Sequence, residues 1–140
     1  AAELGHFIVE KNGQLCKCGR RGCLETKVSY AALCKIAPFA EDAFGSLYCA
    51  HTDDEIGRQL ADVLDLFARS IVNSATIMAP NRIILTGNLF ESPEVRKALI
   101  QACASYDASL GQDRIIYSEL AQKEHYIGAA AICTKMLLFS

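Results

Sequence analysis

At 140 residues, 51% hydrophobic and 21% charged, the chain suits a single globular domain long enough to bury a core. A net charge of −2 excludes the basic footprint of a nucleic-acid surface and the polybasic patch of an anionic-lipid binder. Any DNA-reading element of a larger parent protein would therefore lie outside these residues.

The most informative stretch comes first. Glu3-Leu4-Gly5-His6 is followed by Cys16-Lys17-Cys18-Gly19-Arg20-Arg21-Gly22-Cys23-Leu24-Glu25. With no initiator Met and a start inside this stretch, the chain reads as a fragment of a larger protein. His6-Phe7-Ile8-Val9-Glu10 is a short β-like run, and Asn12-Gly13 is a strong turn signal because both residues tolerate positive φ. Gln14-Leu15-Cys16 is expected to pair back as the second arm of a ribbon. Residues 16–23 are a loop punctuated by glycine. A helix is expected from Thr26 to Ile36, ending before Pro38, and residues 38–54 read as a loop with a short helical piece.

Thr52-Asp53-Asp54-Glu55 has the pattern of a capping box. Behind it Ile56, Leu60, Val63, Leu64, Phe67, Ile71, Ala75 and Met78 recur at helical spacing until Pro80, which predicts the longest helix. Arg82-Ile83-Ile84-Leu85-Thr86 is a continuous apolar run fit for a buried strand. Ser92-Pro93-Glu94 opens the next helix with a hydroxyl cap, a proline and an acid at its positive end. Arg114-Ile115-Ile116-Tyr117-Ser118 predicts a second strand, and Ile127-Gly128-Ala129-Ala130-Ala131-Ile132 opens a terminal helix. Strands alternating with helices imply parallel pairing in an α/β layer.

Seven cysteines are an odd number, and Cys34, Cys49, Cys103 and Cys133 are scattered through apolar stretches. That usage fits a reducing cytoplasm better than a secreted disulfide framework. No signal peptide opens the chain and no apolar run nears the length of a membrane span, so no membrane partner is expected.

Cys16-x-Cys18-x4-Cys23 sets three soft donors on a loop that Gly19 and Gly22 let fold back. Zinc favours tetrahedral thiolate and imidazole ligands, and His6 across the Asn12-Gly13 turn is the expected fourth. Four protein ligands leave no place for an activated water, so the zinc is expected to be structural. Lys17, Arg20 and Arg21 would offset the excess negative charge. A disulfide with a spare thiol is the alternative. Glu3 and Glu25 are each tethered within three residues of a ligand. With the second ring nitrogen of His6 they would make a donor and acceptor set suited to vicinal sugar hydroxyls; the alternative is two solvated charges.

At these residues the chain resembles the ROK family of bacterial repressors and sugar kinases. Glu3-Leu4-Gly5-His6 is similar to the family's Glu-x-Gly-His element, and residues 16–25 to its Cys-x-Cys-Gly-x-x-Gly-Cys-Leu-Glu signature. The resemblance covers essentially the whole chain and implies an α/β fold, part of the C-terminal lobe of an actin-like (ribonuclease H-like) two-lobed fold. On that reading residues 1–140 form one domain, with the zinc and sugar motif in 1–25 and helices with short parallel strands in 26–140. The resemblance implies zinc at His6, Cys16, Cys18 and Cys23, and sugar contacts from Glu3, His6 and Glu25. Thr86, Gly87 and Asn88 would be the turn near the nucleotide in a kinase.

The family's Asp-x-Gly-x-Thr phosphate loop and catalytic Asn-Asp pair do not occur here, so no catalytic residue is assigned and the chain alone should not phosphorylate a sugar. A single glycine after Thr86, and Thr26 following Cys23-Leu24-Glu25, lean towards a sugar-sensing regulator whose DNA contacts come from an N-terminal domain outside this chain. The alternative is the C-terminal lobe of an ATP- and Mg²⁺-dependent sugar kinase acting on a hexose or N-acetylhexosamine. A degenerate member that keeps the zinc fold for assembly is a third. Missing neighbouring strands would leave sheet edges exposed, so self-association is expected.

Overall fold

The structure is a computed structural model and describes residues 4–36, 54–86, 88–118 and 133–134, with the side chains of Tyr30, Asn88, Cys133 and Thr134 outside that description. A 3-10 turn at Leu4–His6 leads into helices α1 (Glu25–Val28), α2 (Tyr30–Ile36), α3 (Glu55–Met78) and α4 (Pro93–Tyr106). Strands β1 (Ile83–Leu85), β2 (Ile115–Tyr117) and β3 (Cys133–Thr134) form one sheet in the order β2-β1-β3, and a second 3-10 turn spans Asn88–Phe90.

α3 is the mast of the fold. Its apolar residues return every three or four positions, and Leu60, Leu64, Phe67, Ala68, Ile71 and Ala75 form one buried face. The side chain of Asp54 caps it, accepting from the Gly57 N–H at 2.8 Å. The cap is thus Asp54 rather than Thr52, which lies outside the described residues. Glu55 instead holds Arg58 and Gln59 on the outer face of the first turn. Ala79 ends the helix in the left-handed conformation, one residue before Pro80.

α4 starts as the sequence predicts, with Ser92 Oγ accepting from the Val95 N–H and Pro93 in the first turn. It buries Val95, Leu99 and Cys103, and packs along α3. Tyr106 Oη donates to Asp65 Oδ1 at 2.7 Å, and the Phe67 and Phe90 rings stack 5.9 Å apart. β1 and β2 are parallel with Ile83 opposite Ile115, as expected for strands joined through a helix. Arg114 ties the entry of β2 to the turn before β1 by donating to the Pro80 carbonyl at 2.6 Å.

Three further expectations are corrected. The helix expected over 26–36 is two helices, broken where Ser29 takes up an extended conformation (ψ 154). Ser29 both ends α1 and starts α2, its hydroxyl accepting from the Ala32 N–H at 3.4 Å. The expected hairpin between residues 6–10 and 14–16 does not form. Instead the 21–23 segment lies between them, with antiparallel bridges Ile8–Cys23 and Leu15–Arg21. Finally, β3 is antiparallel to β1, so the sheet is mixed rather than wholly parallel. Of the loop expected over residues 38–54 all but Asp54, and the helix expected at Ile127–Ile132, lie outside the described residues.

Candidate metal centre and adjoining carboxylate

Glycine explains why the 21–23 segment can sit between its two flanks. A Cβ on Gly13 would stand 2.7 Å from the Gly22 Cα, and one on Gly22 (φ +73) would overlap the carbonyl oxygen of Glu10. The close approach lets the Gly22 carbonyl accept from the Val9 N–H at 2.8 Å while the Gly22 N–H donates to Gln14 at 2.9 Å. Further along, the Cys16 N–H donates to Arg20 at 2.8 Å and the Leu24 N–H to Phe7 at 2.8 Å. Both flanks are therefore stitched to one central segment. That is what carries His6, on one flank, to cysteines on the other two.

The result is a four-donor cluster. One ligand atom each from His6, Cys16, Cys18 and Cys23 lies within 4.8 Å of the other three. Cys16 Sγ is 3.7 Å from His6 Nδ1, and Cys18 Sγ is 3.5 Å from Cys23 Sγ. A tetrahedron built on metal–sulfur bonds of about 2.3 Å has edges of about 3.8 Å. The donor types and their spacing thus fit a zinc-class ion, and the described cysteines are all free thiols. Bound there, such an ion would supply cross-linking of three chain segments. With all four donors from protein it would be structural rather than a site for activated water.

Burial divides the thiols. Cys23 and Leu24 are fully buried and Cys16 nearly so, whereas Cys18 is exposed. Backbone and guanidinium hydrogen bonds from Arg20 draw the Cys18 thiol down to about 6, while burial pushes Cys23 up to about 11. Of the three cations expected to offset the cluster, Arg20 is the one held against it. Arg21 reaches instead to the Gly13 carbonyl at 3.5 Å.

Leu24 anchors the assembly. It sits between Cys23 and Glu25 and joins the core formed with α3, so a ligand on one side and a carboxylate on the other are fixed to the mast. Thr26 Oγ1 donates to the Cys23 carbonyl at 2.7 Å and closes the turn into α1. Glu25, at the start of α1, places Oε2 3.6 Å from His6 Nδ1 and 3.8 Å from Cys16 Sγ. Their side chains are 24% (His6) and 28% (Glu25) exposed, so both can be reached from solvent.

The structure therefore brings His6, Cys16, Cys18, Cys23 and Glu25 together. Glu3 and Gly87 lie outside the described residues, as does the side chain of Asn88. Thr86 stands at the end of β1, apart from the cluster in sequence and in element. Phe90, two residues past Asn88, buries its ring against Phe67. Two contacts carry no signature in the sequence: Lys27 Nζ pairs with Glu10 Oε2 at 2.8 Å, and Lys35 Nζ donates to Gln14 Oε1 at 3.3 Å. They tie α1 and α2 to the flanks of the cysteine-bearing loop.

The chain matches the ROK family model over residues 1–136. The glucokinase of Thermotoga maritima is 28% identical to it over 153 residues, covering 94% of this chain and 48% of that enzyme. The DNA-binding transcriptional dual regulator NagC of Escherichia coli K12 is 25% identical over 160 residues, covering 97% of this chain and 37% of NagC. Among solved structures, the ROK hexokinase from Thermus thermophilus gives a TM-score of 0.69 at 25% identity, covering 91% of this chain and 45% of the hexokinase. A ROK family transcriptional regulator described as a homolog of the E. coli MLC protein gives 0.61 at 21% identity, covering 84% of this chain and 34% of the regulator, a likeness of fold. The chain spans about half or less of the length of these relatives. Among the described residues no helix is long and apolar enough to cross a membrane.

Proposed function

The chain belongs to the ROK family, whose fold is actin-like, and we propose that it is the zinc-containing, sugar-sensing part of a ROK transcriptional regulator. The observation that carries the sugar-binding half of this reading is the contact of Glu25 with His6 beside the four-donor cluster. A carboxylate accepts hydrogen bonds from hydroxyls, and the nitrogen of His6 turned away from a metal would be fixed as a donor. Vicinal hydroxyls of a sugar match that pairing, whereas a phosphate would be repelled by the carboxylate. Zinc held by His6, Cys16, Cys18 and Cys23 would set the orientation of the imidazole. Glu3 would add a second acceptor. Thr86, Gly87 and Asn88 would line the nucleotide only on the kinase reading.

The regulator is preferred to the kinase on the single glycine after Thr86 and on Thr26 after Glu25. Phe90 plays no part in that preference, because its ring is buried in the core. The kinase reading, with ATP and Mg²⁺, is favoured by the similarity to a glucokinase and a hexokinase. In either protein this chain would supply the sugar-facing half. DNA contacts, or a phosphate loop and general base, would come from elsewhere in the parent. Self-association and a cytoplasmic location belong to the same proposal.

Metal analysis of protein purified without chelator comes first, and less than half an equivalent of zinc rejects the structural metal. Calorimetry on the full-length parent, with glucose and N-acetylglucosamine as probes, then tests the site. Glu25→Ala should abolish sugar binding at unchanged zinc content, and unaltered affinity rejects the role of Glu25. ATP-dependent phosphorylation of either probe would decide for the kinase. Sugar-dependent release from DNA would decide for the regulator.

A further inference from the structure

We propose that Cys18 and Cys23 form a peroxide-sensitive modification site, in which oxidation joins the two sulfurs and dismantles the four-donor cluster. The proposal rests on the metal reading of the same residues but depends on their geometry. The two Sγ atoms are 3.5 Å apart. Closing to a disulfide of about 2.05 Å asks for a shift of about 1.5 Å. Cys18 is exposed on the rim of the cluster, so a small oxidant reaches it directly, whereas Cys23 lies fully buried behind it. Cys16 is the poorer partner, since its sulfur lies against His6 and Glu25. The segment between the pair can give, because Gly19 (φ +86) has open space around it.

The chemistry balances with hydrogen peroxide as the oxidant. The Cys18 thiolate attacks one peroxide oxygen and the O–O bond breaks. Sulfur is oxidised to a sulfenic acid, and the departing hydroxide takes a proton to become water. The Cys23 thiolate then attacks the Cys18 sulfur and displaces hydroxide, which leaves as a second water after taking a proton. Two thiolates, one peroxide and two protons become one disulfide and two waters, with two electrons passing from sulfur to oxygen. His6 and Cys16 then remain as the only donors of the original four, too few to retain a structural ion. A dithiol reductant reverses the step.

The test uses the full chain carrying its native metal, with zinc content measured beforehand. Hydrogen peroxide is added in excess while a colorimetric chelator reports released zinc and intact mass reports oxidation. The expected result is loss of about one equivalent of zinc together with a mass lower by two hydrogens, mapped by peptide analysis to a Cys18–Cys23 link. Dithiothreitol with added zinc should restore both. Cys34→Ser, which removes a thiol outside the cluster, should respond as the wild type does. A link involving Cys16 or Cys34, oxygen added at Cys18 without a link, or a linked protein that keeps its zinc overturns the proposal. If the protein carries no zinc at the outset, the metal reading falls by itself. The Cys18–Cys23 link is then read from mass alone, and its absence rejects the pair.

Discussion

Two glycines of the cysteine-bearing loop have positive φ, yet substitution should affect them very differently. Gly19→Ala puts a side chain at φ +86 with nothing within 4 Å of the new methyl, so its cost is the left-handed strain alone, about 1 kcal/mol. Gly22→Ala carries a similar strain at φ +73 and also drives the methyl into the Glu10 carbonyl. Carbon needs about 3.5 Å or more of clearance in ordinary contact, so the Glu10 backbone must retreat by about 1 Å or more. The Val9 N–H to Gly22 bond, 2.8 Å long, would then be lost at about 1 kcal/mol. Residual crowding against the rest of the Glu10 backbone would add about 1 kcal/mol.

The total for Gly22→Ala is thus about 3 kcal/mol. If the cluster holds zinc as proposed, assembling the loop and binding the ion are one equilibrium, and the difference of about 2 kcal/mol between the variants should appear as roughly 30-fold weaker zinc binding in Gly22→Ala than in Gly19→Ala. Competition titration against a colorimetric chelator measures it. Circular dichroism of both variants should be unchanged in the α3 and α4 signal, since neither glycine touches those helices. Zinc affinities of the two variants within about threefold of each other would refute the reasoning.

Other perturbations separate the scaffold from the site. Asp54→Ala removes the side chain that accepts from the Gly57 N–H and should lower unfolding free energy by about 1 kcal/mol in urea titration, while Asp54→Ser largely preserves it. Phe90→Ala empties a fully buried position stacked on Phe67 and should cost about 3–5 kcal/mol, read as a lower urea midpoint at constant slope. Cys103, whose thiol is pushed up to about 12 by burial, should resist thiolate-directed alkylation at pH 8 until the protein unfolds. Its folded pKa lies above the unfolded value of 9.0, so it contributes stability that is complete below pH 9 and declines as pH rises towards 12. Cys103→Ala should flatten that alkaline decline, and an identical pH profile would count against the assignment.

The scaffold was legible wherever periodicity had length to work with. α3 carries its apolar face for more than six turns, and β1 and α4 announce themselves by an isoleucine run and a Ser-Pro-Glu start. The break at Ser29 was not legible, because Tyr30 to Ile36 continues the helical composition and only the serine's side chain divides it. The four side chains that come together could be named from donor chemistry and spacing, since soft donors on a glycine loop have few other uses. Their assembly could not. Asn12-Gly13 gives a true turn, but its flanks pair with the later 21–23 segment because Gly13 and Gly22 have no Cβ to keep them apart. A two-residue strand such as β3 is too short to carry any period at all.

The central position of the 21–23 segment also makes one closure of the site easier than the other. Leu15 and Arg21 are six residues apart, while Ile8 and Cys23 are fifteen apart, and shorter loops close at lower entropic cost. The hairpin that carries Cys16, Cys18 and Cys23 is therefore entropically easier to close than the pairing with the flank that bears His6. An ion bound there would join the imidazole of His6 to a clasp that the three thiols form locally.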